Sequence, residues 1–211
     1  MIWKDHSKLR GQHAFLSPSN YHWINYNEDD LFKRINSSYA TEVGTVLHWI
    51  AERYVRNGIK MQKADKRLIK MELIEHYIPY DVVDSLDIEA MFENLQAYIN
   101  DAVGYKMIPE MILYYSDNCF GTADSIIFKD GLLRIHDYKS GSVPAHMEQL
   151  MVYVALFCLE YNMKPSSFDT ELRIYQNCDI VGYLPETDEI VPIMDKIVAF
   201  DKIVSKTKEH K

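Results

Sequence analysis

Cysteine is scarce in this chain. Three occur in 211 residues, Cys119, Cys158 and Cys178, an odd number with no Cys-x-x-Cys spacing. Neither a disulfide framework nor a zinc site is expected from them, and buried thiols in a reducing compartment are the default. Glycine is sparse too, at eight. None of the eight builds the glycine-rich phosphate loop of a nucleotide-binding enzyme, which argues against a phosphoesterase or transferase acting on small nucleotides. Long apolar runs are missing: no segment approaches the ~20 residues needed to span a bilayer. The opening Met-Ile-Trp-Lys-Asp-His lacks the apolar centre of a signal peptide, so a cytoplasmic protein with no membrane association is expected. No internal repeat, flexible linker or low-complexity segment interrupts the chain.

Positive charge is also short. Lys and Arg total 23 against 31 Asp and Glu, a formal net charge of −8. Phosphate contacts supply most of the affinity of nucleic-acid complexes, so a polyanion partner would have to be met by local patches. One such stretch contains Arg53, Arg56, Lys60, Lys63, Lys66, Arg67 and Lys70; the alternative is a solvated helical face. A hydrophobic fraction of 47% with 26% charged residues is ordinary for one globular domain of this length.

What the chain does have is concentrated between residues 121 and 153. Residues 120–128 and 132–139 are rich in β-branched and aromatic residues and flank Asp130-Gly131, a strong two-residue hairpin signal. Counting back from that turn pairs Lys129 with Leu132, Ile126 with Ile135, Asp124 with Asp137 and Thr122 with Lys139, all on one face. Like charges directly opposite on a sheet repel, and beside Ile126, Leu133 and Ile135 they also lose hydration. A cation is therefore expected between them. A hard divalent ion takes one or two carboxylates, waters and phosphate oxygens, and Lys139 then stands one strand step away, suited to orient or deprotonate a water or to neutralise a phosphate.

Asp124 followed by Asp137-x-Lys139 on the next strand resembles the active-site signature of the PD-(D/E)XK nuclease superfamily. Gly121-Thr-x-Asp124, Asp137-Tyr-Lys-x-Gly141, Gln149-x-x-x-Tyr153 and the upstream Gly44-x-x-x-His48 resemble its RecB-like branch, which contains lambda-type phage exonucleases. The resemblance covers residues 40–176; Ala123 stands where the superfamily's name puts proline. It implies a restriction-endonuclease-like α/β (α+β) fold, a central mixed sheet with an antiparallel three-stranded meander plus a parallel strand, flanked by helices. It also implies magnesium or manganese held by Asp124, Asp137 and the Tyr138 carbonyl, with His48 and Glu110 as further ligands and Lys139, Gln149 and Tyr153 around the reaction. The implied activity is hydrolysis of DNA leaving 5′-phosphates, with exonuclease action on linear DNA in recombination, repair or phage DNA processing, in the host-cell cytoplasm for a phage-encoded chain. DNA is then the partner, with a homo-oligomer or a recombination or replication protein supplying processivity. No iron-sulfur cluster is expected, because the early and late cysteines that hold one in some relatives are missing. An endonuclease, or a non-catalytic DNA-binding subunit on the same fold, is the alternative; the latter predicts damage at Asp124, Asp137 or Lys139, and all three are intact.

The rest of the chain fits one domain over 1–211: an N-terminal arm (1–40), a helical part (41–104), the catalytic sheet and helix (105–185) and a C-terminal helix (189–211). In the arm, aromatic residues alternate with Lys4, Lys8 and Arg10, suiting either base stacking or packing; Ser17-Pro18 is a helix start, and His6, His13 and His22 lack metal-ligand spacing. Val43, Val46, Leu47, Ile50, Ala51 and Tyr54 give residues 41–57 helical periodicity. Gly44, His48 and Glu52 share a stripe there, and Glu52 can alternatively pair with Arg56. Helices are expected over 66–77 and 88–103, with no chemistry assigned to them. A strand is expected over 110–115. A two-residue turn at Asp117-Asn118 would put Met111 opposite Asp124, whereas a three-residue loop, the expectation here, puts Glu110 there. A helix from Pro144 to about residue 161, a parallel strand over 170–175 and an edge strand over 180–184 complete the sheet.

Overall fold

A computed structural model describes residues 15, 22, 24–141 and 143–209. The Ser17-Pro18 helix start, His6, His13 and most of the aromatic and basic arm lie outside the described residues. Two compact units are present, residues 1–39 and 40–211. In the first, helix α1 (Glu28–Ser38) opens with a capping box, Asn27 accepting from the Asp30 amide at 2.8 Å while Asp30 accepts back from the Asn27 amide. That pairing satisfies two amide donors left free at any helix start.

The second unit carries a five-stranded sheet of order β1-β2-β3-β4-β5, formed by β1 (Ile108–Ser116), β2 (Cys119–Lys129), β3 (Leu132–Lys139), β4 (Asp169–Gln176) and β5 (Asp179–Tyr183). β3 and β4 are parallel and the other neighbours antiparallel, giving the expected mixed sheet flanked by helices. The helices are α2 (Ala40–Arg56), α3 (Lys66–Glu75), α4 (Tyr80–Ser85), α5 (Ile88–Tyr105), α6 (Glu148–Glu160) and α7 (Thr187–Glu209). No helix among the described residues is long and apolar enough to cross a membrane.

Strand alternation sorts β3 between two cores. Leu133 and Ile135 bury with Leu150, Val154 and Phe157 of α6. Tyr138 packs on Tyr98 of α5, and His136 on Tyr105. Leu47, Ile50, Ile69, Leu73, Leu95 and Ile99 are wholly buried where α2, α3 and α5 meet. Asp137 and Lys139 therefore emerge on the face occupied by α6.

The β2–β3 hairpin turns at Asp130-Gly131 with φ of 52° and 75°, the two positive values that such a turn needs. The ladder runs in the expected register from Lys129–Leu132 through Ile126–Ile135 to Ser125–His136. The β1–β2 connection differs from expectation. Its turn is the two-residue one, Ser116 pairing with Cys119, and not a three-residue loop. One extra residue at Tyr115 then shifts the register between Tyr114 and Ser116. Because Pro109 pairs with Ser125 and Met111 with Ala123, Glu110 still ends up across from Asp124. The shift comes from a bulge, which puts two residues of one strand against one of the other.

Candidate active site

Beyond Ser125–His136 no further β2–β3 pair forms, so the expected Asp124–Asp137 and Thr122–Lys139 pairs are not made, and the Asp124 side chain takes over the role of the ladder. Its Oδ2 accepts the Tyr138 amide at 2.8 Å. The same oxygen lies 3.5 Å from His48 Nδ1 of α2. Glu110 completes a group in which one ligand atom each from His48, Glu110 and Asp124 lies within 4.8 Å of the others. Three elements thus converge on one point, α2 supplying the nitrogen and β1 and β2 the carboxylates. α2 reaches the sheet closely because Gly44 has no side chain: a Cβ there would meet Ser140 Oγ at 3.0 Å.

Asp137 is the next carboxylate along and is nearly buried, its side chain 4% exposed. Lys139 Nζ donates to its Oδ1 at 3.1 Å and lies 2.9 Å from Oδ2. Oδ2 is buried, and Lys139 is its one partner among the described residues. Lys139 donates also to Gln149 Oε1 of α6 at 3.1 Å. The ammonium, with its three donors, is thus held between one carboxylate and one carboxamide.

Burial dominates the electrostatics. It raises Asp124 and Asp137 above the usual carboxylate range; Asp124 pushes Asp137 further the same way, while Lys139 pulls both back. Glu110 is raised by burial and then by Asp124. His48 is pushed below its usual value by burial, against the pull of Glu110 and Asp137, which keeps its imidazole neutral and able to ligate. Three carboxylates resisting ionisation and a neutral imidazole together are a donor set that fits a divalent cation.

Tyr138 reaches this cluster through its amide and through its buried ring, which meets the His48 ring edge-on at 5.5 Å between centroids. Tyr153 is committed elsewhere: its hydroxyl donates to the Thr122 carbonyl at 2.6 Å, and its ring edge would lie 3.0 Å from a Cβ at Gly121. It anchors α6 on β2, with Gly121 making the room. Glu52 takes the helical alternative, accepting from Arg56 Nη2 at 2.5 Å. Arg53 pairs with Glu72, Lys66 with Glu89 and Lys70 with Asp84, so four of the seven basic residues of that stretch already hold acidic partners. The stretch is an ion-paired helical surface more than a phosphate track.

Two contributors have no counterpart in the sequence expectations. Asn94, from a helix to which no chemistry was assigned, is buried and donates to the carbonyls of Lys139 at 3.2 Å and Tyr175 at 3.3 Å. A polar residue within the apolar stripe of Met91, Leu95 and Tyr98 is its only sequence signal. Gln176 pins the loop after β3, its amide nitrogen donating to Gly141 at 2.6 Å and Val143 at 2.7 Å while its Oε1 accepts from Ala145.

Residues 13–164 match the model of a family described as a protein of unknown function, DUF2800. The chain belongs to that family. The DUF2800 match takes in His48, Glu110, Asp124, Asp137, Lys139, Gln149 and Tyr153, and ends before β4, β5 and α7. No curated protein and no solved structure matches the chain.

Proposed function

We propose that this protein is a divalent-cation-dependent nuclease of the PD-(D/E)XK kind that hydrolyses phosphodiester bonds of DNA. The observation that carries the reading is the position of Lys139, bridging Asp137 and Gln149 beside the His48–Glu110–Asp124 group. Magnesium or manganese would be held by Asp124 and Glu110, with His48 and Asp137 as further ligands. When bound, such an ion supplies charge neutralisation at the phosphate and a more acidic water.

The chain's own groups supply the rest. Lys139, held between Asp137 and Gln149, presents its ammonium to the attacking water or a phosphate oxygen, where a preorganised charge needs no rearrangement during the reaction. Gln149 holds the lysine from α6, and Asn94 holds its carbonyl from α5. Asp137 keeps the ammonium from swinging into solvent. The three raised carboxylates favour a positively charged ligand, because ionising them together without one is costly.

The preference for a free DNA end and for 5′-phosphate products is carried by the resemblance to RecB-like and lambda-type enzymes. Incubating purified protein with linear, nicked and closed circular DNA, with and without magnesium or manganese, tests the reading. Metal-dependent loss of linear DNA alone is the result expected of an exonuclease. Cutting of closed circles would make it an endonuclease, and no cleavage of any form would remove the nuclease reading.

A further inference from the structure

Ser140 lines two cavities. One is the open cleft of about 360 Å³ that holds His48, Glu110 and Asp124. The other, about 340 Å³, lies past Lys139 between the start of α5 and the β4–β5 turn, walled by Asp87, Ala90, Met91, Asn94, Asn177 and Cys178 and backed by Tyr138. Both volumes are in the range of small-ligand sites. Ser140 is the wall they share, which puts the mouth of the second cavity beside the cleft.

The second cavity is built for something flat with polar edges. The Asn94 amide nitrogen is held by the Lys139 and Tyr175 carbonyls and Asp87 Oδ1 caps α5, so the Asn177 carboxamide, the Asn94 oxygen and the second Asp87 oxygen are the polar groups beside the apolar Ala90 and Met91. Behind Asn94 the Tyr138 hydroxyl is buried against the Asn94 carboxamide. The far wall is a two-residue turn in which Asn177 and Cys178 both have positive φ, 54° and 59°. Glycine would take that turn with less strain, and the Cys178 thiol contacts the Ala90 carbonyl at 3.4 Å. Strained turns that persist at a cavity wall are a mark of functional sites.

Building on the nuclease reading, we propose that this cavity receives the base of the nucleotide next to the cleaved bond. Amide and carboxylate groups read base edges, and apolar side chains accept base faces. A base can enter such a cavity only when it is unpaired and unstacked. The substrate class is therefore a single strand or a frayed end.

The test compares a single-stranded oligonucleotide with an abasic strand of equal length, using wild type and Ala90→Phe, which fills the cavity, in manganese. The expected result is a kcat/KM about 10-fold higher for the base-bearing strand in wild type, with Ala90→Phe lowering that strand to the abasic rate and leaving the abasic rate unchanged. Equal rates on both strands in wild type, or an equal loss on both in the variant, would overturn the cavity assignment while leaving the nuclease reading in place. If wild type cleaves neither strand the nuclease reading fails, and alkylation of Cys178 by N-ethylmaleimide decides the cavity. Protection by the base-bearing strand but not the abasic one, with Cys119 equally reactive throughout, supports it; no protection overturns it.

Discussion

Glu110 stands across from Asp124 with a left-handed backbone, φ 50°, on a register created by the extra residue at Tyr115. Non-glycine residues rarely adopt that conformation, and its strain costs on the order of 1 kcal/mol or more. Glu110→Gly would relieve the strain and Glu110→Gln would keep it, while both remove the carboxylate. Glu110→Gly is expected to melt at or above the wild-type temperature and Glu110→Gln at no higher than Glu110→Gly, with DNA hydrolysis lowered at least about 10-fold in both. Calorimetry with an activity assay checks the pair; a Glu110→Gly protein that is clearly less stable would mean that the side chain serves the fold.

Asp124→Asn removes one buried charge yet retains an oxygen able to accept the Tyr138 amide. The metal-free variant is expected to gain on the order of 1 kcal/mol, or roughly 2–4 °C, while its manganese affinity falls at least about 10-fold. Thermal melts with and without metal, together with titration calorimetry, read both changes. A loss of stability in the metal-free state would contradict the repulsion described for this cluster.

The pH dependence follows from the same carboxylate. Its folded value is raised above the unfolded one, so the stabilisation it contributes is complete below the unfolded value near 4 and is lost as pH rises through the folded value. The melting difference between Asp124→Asn and wild type, both metal-free, should be widest near pH ~8 and close toward pH ~5. Metal affinity of wild type should run the other way, rising with pH as the carboxylates ionise. A melting gap that widens on acidification would reverse the assigned direction.

Gln149 acts on Lys139 and touches no ligand of the cation. Gln149→Ala is expected to lower kcat by roughly 10-fold to 100-fold, with KM and manganese affinity little changed. Steady-state kinetics separates the two parameters. A change confined to KM would instead mean that Gln149 contacts the DNA.

Asp130-Gly131 made much of the site legible in advance, because a two-residue turn leaves one register and that register carries Asp124, Asp137 and Lys139 to one end of the hairpin. The helical spacing of Gly44 and His48 was readable for the same reason. The bulge at Tyr115 was not, since no glycine or proline marks it and the shift depends on how two whole strands pair. Asn94 was hidden by its apolar neighbours, and its partners lie 45 and 81 residues away in sequence. Helix α1 buries none of its residues, so only the Asn27 and Asp30 capping box marks it, and the six residues of α4 are too few to show a period. Glu52 could have gone either way from spacing alone; Arg56 one turn on decided it.

The central claim is that Lys139, held by Asp137 and Gln149, drives cation-dependent hydrolysis of DNA. Lys139→Ala removes the ammonium and leaves the His48–Glu110–Asp124 group in place. Side by side in manganese, wild type should degrade linear DNA and Lys139→Ala should be slower by at least about 100-fold, with manganese affinity preserved. Equal rates in the two proteins would contradict the account.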